Sequence, residues 1–255
     1  MSKTWRGRVA MAAAVLLLFV GVIAARLPAS WILAAVPKIN GQPPQCEAIS
    51  GTLWHGACSG LIAGTYRFSS AQWELAPWPL LRGIVAAHLA IESDALSIDG
   101  QFQRRLSGAL TVRDVHARFS MPNLLLPQLP ANLSGNVAAH IALAAVAGFK
   151  VQSMVGQINV QDLVQTAPSR ILLGNYQLEF PEPAAADKPV VGTLRDTGGP
   201  LEIHGTLTLT PEPGYLLDGT VVARPDAGPA LLQQIAILGS PDSSGRRSFS
   251  QAATF

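Results

Sequence analysis

Leu201-Glu202-Ile203-His204-Gly205-Thr206-Leu207-Thr208-Leu209 alternates without a break, apolar or glycine at odd positions and polar at even ones. A period of two places successive side chains on opposite faces of a strand. Asp196-Thr197-Gly198-Gly199-Pro200 supplies a turn before it, and residues 215–224 read as its hairpin partner. Working back, residues 190–195 read as a strand, residues 181–189 as a Pro/Ala loop, and residues 174–180 as a strand that aligns Tyr176, Leu178 and Phe180.

The same style fills the first half. Strands are expected at 49–54, 61–69, 71–76, 83–91, 96–102, 106–112, 115–119, 135–143 and 149–160. Within 115–119, Val115, Ala117 and Phe119 oppose His116 and Arg118. Pro77-Trp78-Pro79 forces a turn or an edge. Residues 121–133 carry three prolines, which exclude a long helix or a central strand, so a loop with one helical turn is expected. Only residues 228–238 look helical, and the polar, Ser-rich stretch 241–255 reads as a flexible tail. No fixed-period repeat occurs. Successive antiparallel strands of this kind predict a mainly β fold, a strongly curved open sheet rather than a compact enzyme.

The N-terminus sets the compartment. Lys3, Arg6 and Arg8 precede an apolar run over residues 9–25, and Arg26 follows it. Positive charge resists translocation, so residues 1–8 should stay in the cytoplasm and the bulk should cross. The run gives about 26 Å of helix, the lower limit for spanning a bilayer. A cleaved signal peptide competes with a retained anchor. Ile23-Ala24-Ala25 is a poor cleavage site because Ile is bulky at its outer position, so retention is the expectation. Residues 26–45 then form a juxtamembrane linker, with Trp31 suited to the headgroup level, and 46–240 an exported β domain.

Cys46 and Cys58 are the only cysteines. In an exported chain an even number is usually oxidised, and closing a loop of about 13 residues removes roughly 3 kcal/mol of unfolded-state entropy. Gly56-Ala57-Cys58-Ser59-Gly60 superficially matches a nucleophile elbow, but a strand rather than a helix follows it. A structural disulfide is the reading.

Charged residues are 13% of the chain and the net charge is +2, with no basic cluster in the exported part, which argues against nucleic acid. No metalloprotease, EF-hand, phosphate-loop or dinucleotide motif occurs, and the five histidines are scattered. Neither catalytic residues nor cofactor or metal ligands are expected. Trp54, His55, Trp73 and Trp78 remain as candidate contact residues, against the simpler reading of core and rim packing.

Five segments in order carry a resemblance: Gly-Thr-Leu-Trp-His-Gly at 51–56, Trp-x-Leu-x-Pro-Trp-Pro-Leu-Leu at 73–81, Gly-Asn-Tyr-Gln-Leu-Glu-Phe at 174–180, Gly-Gly-Pro-Leu-Glu-Ile-x-Gly-Thr-Leu-Thr-Leu at 198–209, and Leu-Gly-Ser-Pro-Asp-x-x-Gly-Arg at 238–246. With the short basic N-terminus and apolar helix, the set resembles the type II secretion system protein N family. The resemblance implies a non-enzymatic, single-pass inner-membrane component that binds other secretion subunits through a periplasmic domain. That family is in turn similar in style to AsmA-like proteins, which implies an apolar groove and, as the alternative function, binding or transfer of phospholipid. A cleaved periplasmic hydrolase is the third reading.

Overall fold

One antiparallel sheet accounts for most of the chain from Gln45 onward. The structure, a computed structural model, describes residues 11, 15, 16, 18, 19, 21–35, 42–64, 66–121, 132–148, 150–184, 188–210 and 214–254. Its strands are β1 Gln45–Gly51, β2 His55–Ala63, β3 Tyr66–Ala76, β4 Ile84–Ser93, β5 Leu96–Arg105, β6 Leu110–Met121 and β7 Leu133–Ala147. They continue as β8 Lys150–Gln165, β9 Ile171–Phe180, β10 Val190–Gly198, β11 Leu201–Leu209, β12 Gly214–Ala223 and β13 Arg247–Thr254. Each pairs antiparallel with the next in chain order, and β1 does not pair with β13, so the sheet is open rather than a closed barrel. At about 4.8 Å between neighbours, twelve intervals span roughly 58 Å. Among the described residues, besides helical positions between 11 and 25, three short helices accompany it: α1 Ser30–Ala35, α2 Pro77–Leu80 and α3 Pro229–Ala236.

Register sorts the side chains into two faces. One row runs Ile49, Cys58, Ala71, Ile91, Ile98, Ala117, Ala139, Ile158, Leu178, Leu194, Gly205, Gly219 and Phe249, each directly opposite the next across all the strands. Directly opposed residues share a face, so this row is an unbroken apolar strip. The adjacent row, from Asp99 through His116, His140, Gln157, Glu179, Thr193, Thr206 and Asp218 to Ser250, lies on the other face and is polar. The apolar strip is buried or half-buried, whereas His116, His140, Thr193, Thr206, Asp218 and Ser250 are exposed.

The two ends of the apolar face are covered. Ala29, Cys58, Ala71 and Trp73 form one core cluster, with Ile32 of α1 packed against it. Ile171, Leu201, Val221 and Leu231 form the other, with Ile235 of α3 packed against it. Among the described residues, no helix packs extensively on β5 to β7, and α3 meets β8 through the Gln234 amide, which donates to Gln165 Oε1 at 3.0 Å.

Several expected boundaries shift for physical reasons. The expected strand 61–69 is two strands: β2 ends at Ala63, the chain reverses at Gly64, and Leu61 comes to lie opposite Phe68. The expected strands 106–112 and 115–119 are one, β6, because Asp114 takes φ +48 and makes a bulge. The bulge puts Val112 and Val115, three positions apart, on the same face. Leu106 leaves the strand for the turn before β6, where it is 84% exposed.

The expected flexible tail is corrected: Arg247–Thr254 form β13 on the edge of β12, from Gly214↔Thr254 to Val221↔Arg247. Phe249 and Ala253 alternate toward the apolar side while their polar neighbours face out, which a Ser-rich composition conceals. The short C-terminal helix stands as α3. The expected helical turn within 121–133 falls almost wholly outside the described residues. The described positions of the run over 9–25, namely 11, 15, 16, 18, 19 and 21–25, are helical. Among the described residues, no helix is long and apolar enough to cross a membrane.

Candidate functional site

The Gly51–Gly56 segment turns β1 into β2 and fastens the N-terminal helix to the sheet. The Leu53 N–H donates to the Leu27 carbonyl at 2.8 Å, and Pro28 and Thr52 form an isolated antiparallel bridge. The Trp54 indole N–H donates to the Ala24 carbonyl at 2.7 Å, and so satisfies an acceptor at the end of the helical run. On the other side, the Leu75 N–H donates to the Trp54 carbonyl at 2.6 Å, and the Trp73 indole N–H donates to the Leu53 carbonyl at 3.1 Å. The turn therefore binds residues 24–28 on one side and β3 on the other. Gly56 is required there, since a Cβ on it would lie 2.3 Å from the Trp73 ring.

Cys46 and Cys58 are disulfide-bonded with their Cα atoms 5.7 Å apart. Cys46 is opposite Leu61 and Cys58 opposite Ile49, which in a regular ladder is an offset of three residues, or about 10 Å. The pairing skips Glu47 and Gly60, where Gly60 takes φ +61, and the kink there brings the sulfurs together. The bond thus secures the first hairpin directly beside the Trp73 cluster.

Of the candidate contact residues, Trp73 is corrected. It is 7% exposed and belongs to the core, so its ring does not reach the surface. Trp54 is part-buried against the helix end. His55 is exposed, 3.1 Å from the Glu74 carboxylate. Trp78, in α2, is 78% exposed.

The histidines that look scattered in sequence share the polar face. Glu74 lies opposite His88, His88 is 3.2 Å from Asp99, Asp99 lies opposite His116, and the His116 and His140 rings stack at 4.3 Å. Alternation alone places each histidine on a face; only register lines them up. Among the described residues, no group of three or more His, Cys, Asp and Glu is placed to hold a metal ion.

The side chains with shifted proton affinity bind backbone groups. Burial pushes the Asp196 carboxyl up. Hydrogen bonds from the Arg224 guanidinium at 2.5 Å and the Ile203 N–H at 3.1 Å outweigh that and hold it below its ordinary range. The same guanidinium donates to the Gly199 carbonyl at 2.6 Å and so ties the β10–β11 turn to the end of β12. Burial, then the nearby Asp196 charge, push the Tyr176 hydroxyl up to about 12, and it donates to the Leu173 carbonyl. Asp242 is held low by the Ser244 hydroxyl and the Arg246 and Ser244 N–H groups, which close the turn before β13.

The model of the family described as type II secretion system (T2SS), protein N matches residues 44–250, from the start of β1 into β13. A curated protein of Aeromonas hydrophila named type II secretion system protein N is 26% identical over 249 residues, covering 94% of this chain and 95% of that one. No solved structure matches the chain.

Proposed function

The chain belongs to the type II secretion system protein N family and is a component of that secretion machinery; from this premise we propose that it is a non-catalytic inner-membrane subunit whose periplasmic sheet binds other secretion subunits. The family match along nearly the whole sheet is the observation that carries this reading.

Three features support the finer parts. Met11, Val15, Leu16, Leu18, Phe19, Val22 and Ile23 are each at least half exposed, from 50% to 72%, on a helical run. A helix apolar on every side belongs in lipid or a protein core. The four cations around it orient residues 1–8 to the cytoplasm, 9–25 across the membrane and 26–45 as the linker, with the periplasmic domain running from 46 through β13. The disulfide suits an oxidising compartment. The shifted groups Asp196 and Asp242 bind backbone turns and Tyr176 binds a backbone carbonyl of its own strand, an architectural use.

The test is affinity capture of the tagged full-length chain from membranes of secreting cells. Co-purification of other secretion subunits supports the reading; unimpaired secretion by cells lacking the chain, with no subunit captured, refutes it. The apolar strip between the two helical covers favours a second reading, a phospholipid-binding module. Native mass spectrometry of the intact protein tests it, and a preparation free of bound phospholipid refutes it.

A further inference from the structure

We propose that the end of the sheet bearing Trp78, Leu81 and Leu106 rests on the surface of an anionic lipid bilayer, a second membrane contact beside the N-terminal helix; this rests on the anchored reading above. Antiparallel strands in chain order put alternate turns at the same end of the sheet. The β1–β2, β3–β4 and β5–β6 turns therefore share one end. The first of these is bonded to residues 24, 27 and 28, where the apolar helical run stops. That end accordingly sits where the chain leaves the bilayer. The other two turns lie about 10 and 20 Å to the side, two and four strand spacings away.

Both of those turns expose large apolar side chains. Trp78 is 78% exposed, Leu81 81% and Leu106 84%, among the highest values of the large apolar side chains described. The Leu106 N–H donates to the Gly83 carbonyl at 3.0 Å, so the two turns form a single patch. Arg82, Arg104 and Arg105 flank the patch, are exposed, and among the described residues none pairs with a carboxylate. Exposed Trp and Leu beside uncompensated arginines suit a headgroup region, where indole sits at the interface and guanidinium meets phosphate. The charge selects an anionic surface by about fivefold per arginine. Continuity with the helix exit and this charge complementarity favour lipid over a protein partner.

The test uses the full-length chain reconstituted in vesicles of phosphatidylethanolamine and phosphatidylglycerol, doped with phosphatidylcholine spin-labelled near the headgroup. Tryptophan emission is compared between the native chain and Trp78→Phe, whose difference isolates Trp78. The expected result is strong quenching of that difference signal, and its loss in Arg82→Glu/Arg104→Glu/Arg105→Glu or in vesicles of phosphatidylcholine alone. Leu106→Trp in the Trp78→Phe background gives a second, independent probe that should be quenched as well. Near-ultraviolet circular dichroism and an intact disulfide verify that each variant is folded. If neither Trp78 nor the indole introduced by Leu106→Trp is quenched in a chain that stays with the vesicles, this proposal is overturned and the anchored reading stands. A chain that alkaline washing strips from the vesicles overturns both.

Discussion

Replacing Gly192 with alanine should destabilise the native sheet yet stabilise a sheet that lacks the Phe180 ring. Gly192 of β10 sits under Phe180 of β9, which is 2% exposed. A Cβ on Gly192 would meet ring atoms of Phe180 at 2.7, 2.9 and 2.9 Å. Ordinary carbon contacts are about 3.5–4.0 Å, so the ring would have to retreat by roughly 1 Å. A ring so buried has no room to retreat, and overpacking of this kind costs about 1–3 kcal/mol. Removing the ring instead, as Phe180→Ala, costs about 3–5 kcal/mol through lost burial and the cavity left behind. With the ring gone, the alanine methyl is free of that clash. Its lower unfolded-state entropy then gives back about 0.5–1 kcal/mol relative to glycine. The effect of Gly192→Ala therefore changes sign between the two backgrounds, a coupling of about 1.5–4 kcal/mol. Urea unfolding of the full-length chain in detergent, followed by far-ultraviolet circular dichroism with equal slopes across variants, measures all four species. Equal costs of Gly192→Ala in both backgrounds, within about 0.5 kcal/mol, would refute the reasoning.

Three further outcomes are expected. Reducing the Cys46–Cys58 bond, or replacing both cysteines with serine, should lower stability by about 3 kcal/mol in the chain-entropy account, read as a fall in the urea midpoint. Trp54→Phe keeps an aromatic ring but removes the indole N–H that reaches the Ala24 carbonyl. A loss of about 0.5–1.5 kcal/mol at the helix junction should appear as faster proteolysis between residues 24 and 45 while the sheet remains protected. Asp196 has its folded-state proton affinity held below the unfolded value, so its contribution to stability is present above pH ~4 and is lost as pH falls through the folded value. Asp196→Asn should accordingly be less stable than the native chain at pH 7, with the gap narrowing on acidification. A gap that widens toward acid would reverse the sign of the account.

The alternation in Leu201–Leu209 is legible because each strand carries its own two-face pattern, and residues 201–209 keep it in the structure as β11. Legibility fails where the phase changes. Val112 and Val115 are out of step with any single period of two, so the chain between them reads as a turn; Asp114 absorbs the extra residue as a bulge and the strand continues. It fails again at β13, whose apolar residues Phe249 and Ala253 are diluted by serine and glutamine, and whose pairing comes from the backbone of β12 rather than from composition. The same limit governs the candidate site. Trp54 and Trp78 can be found by residue type, but neither the Ala24 carbonyl that Trp54 meets nor the burial that removes Trp73 is encoded locally. Nor can sequence show that Ile98, Ala117, Ala139, Ile158 and Leu178 form one strip, or that Asp99, His116 and His140 form another on the opposite face. Those rows depend on register, and a slip of one residue in any hairpin would send every side chain beyond it to the wrong face. Thirteen strands kept in phase across hairpins and bulges therefore make continuity of the apolar strip the property that the fold protects most strictly. A substitution that shifts a bulge, such as one at Asp114 or Asp162, should disturb the sheet beyond it more than loss of a single apolar side chain from the strip.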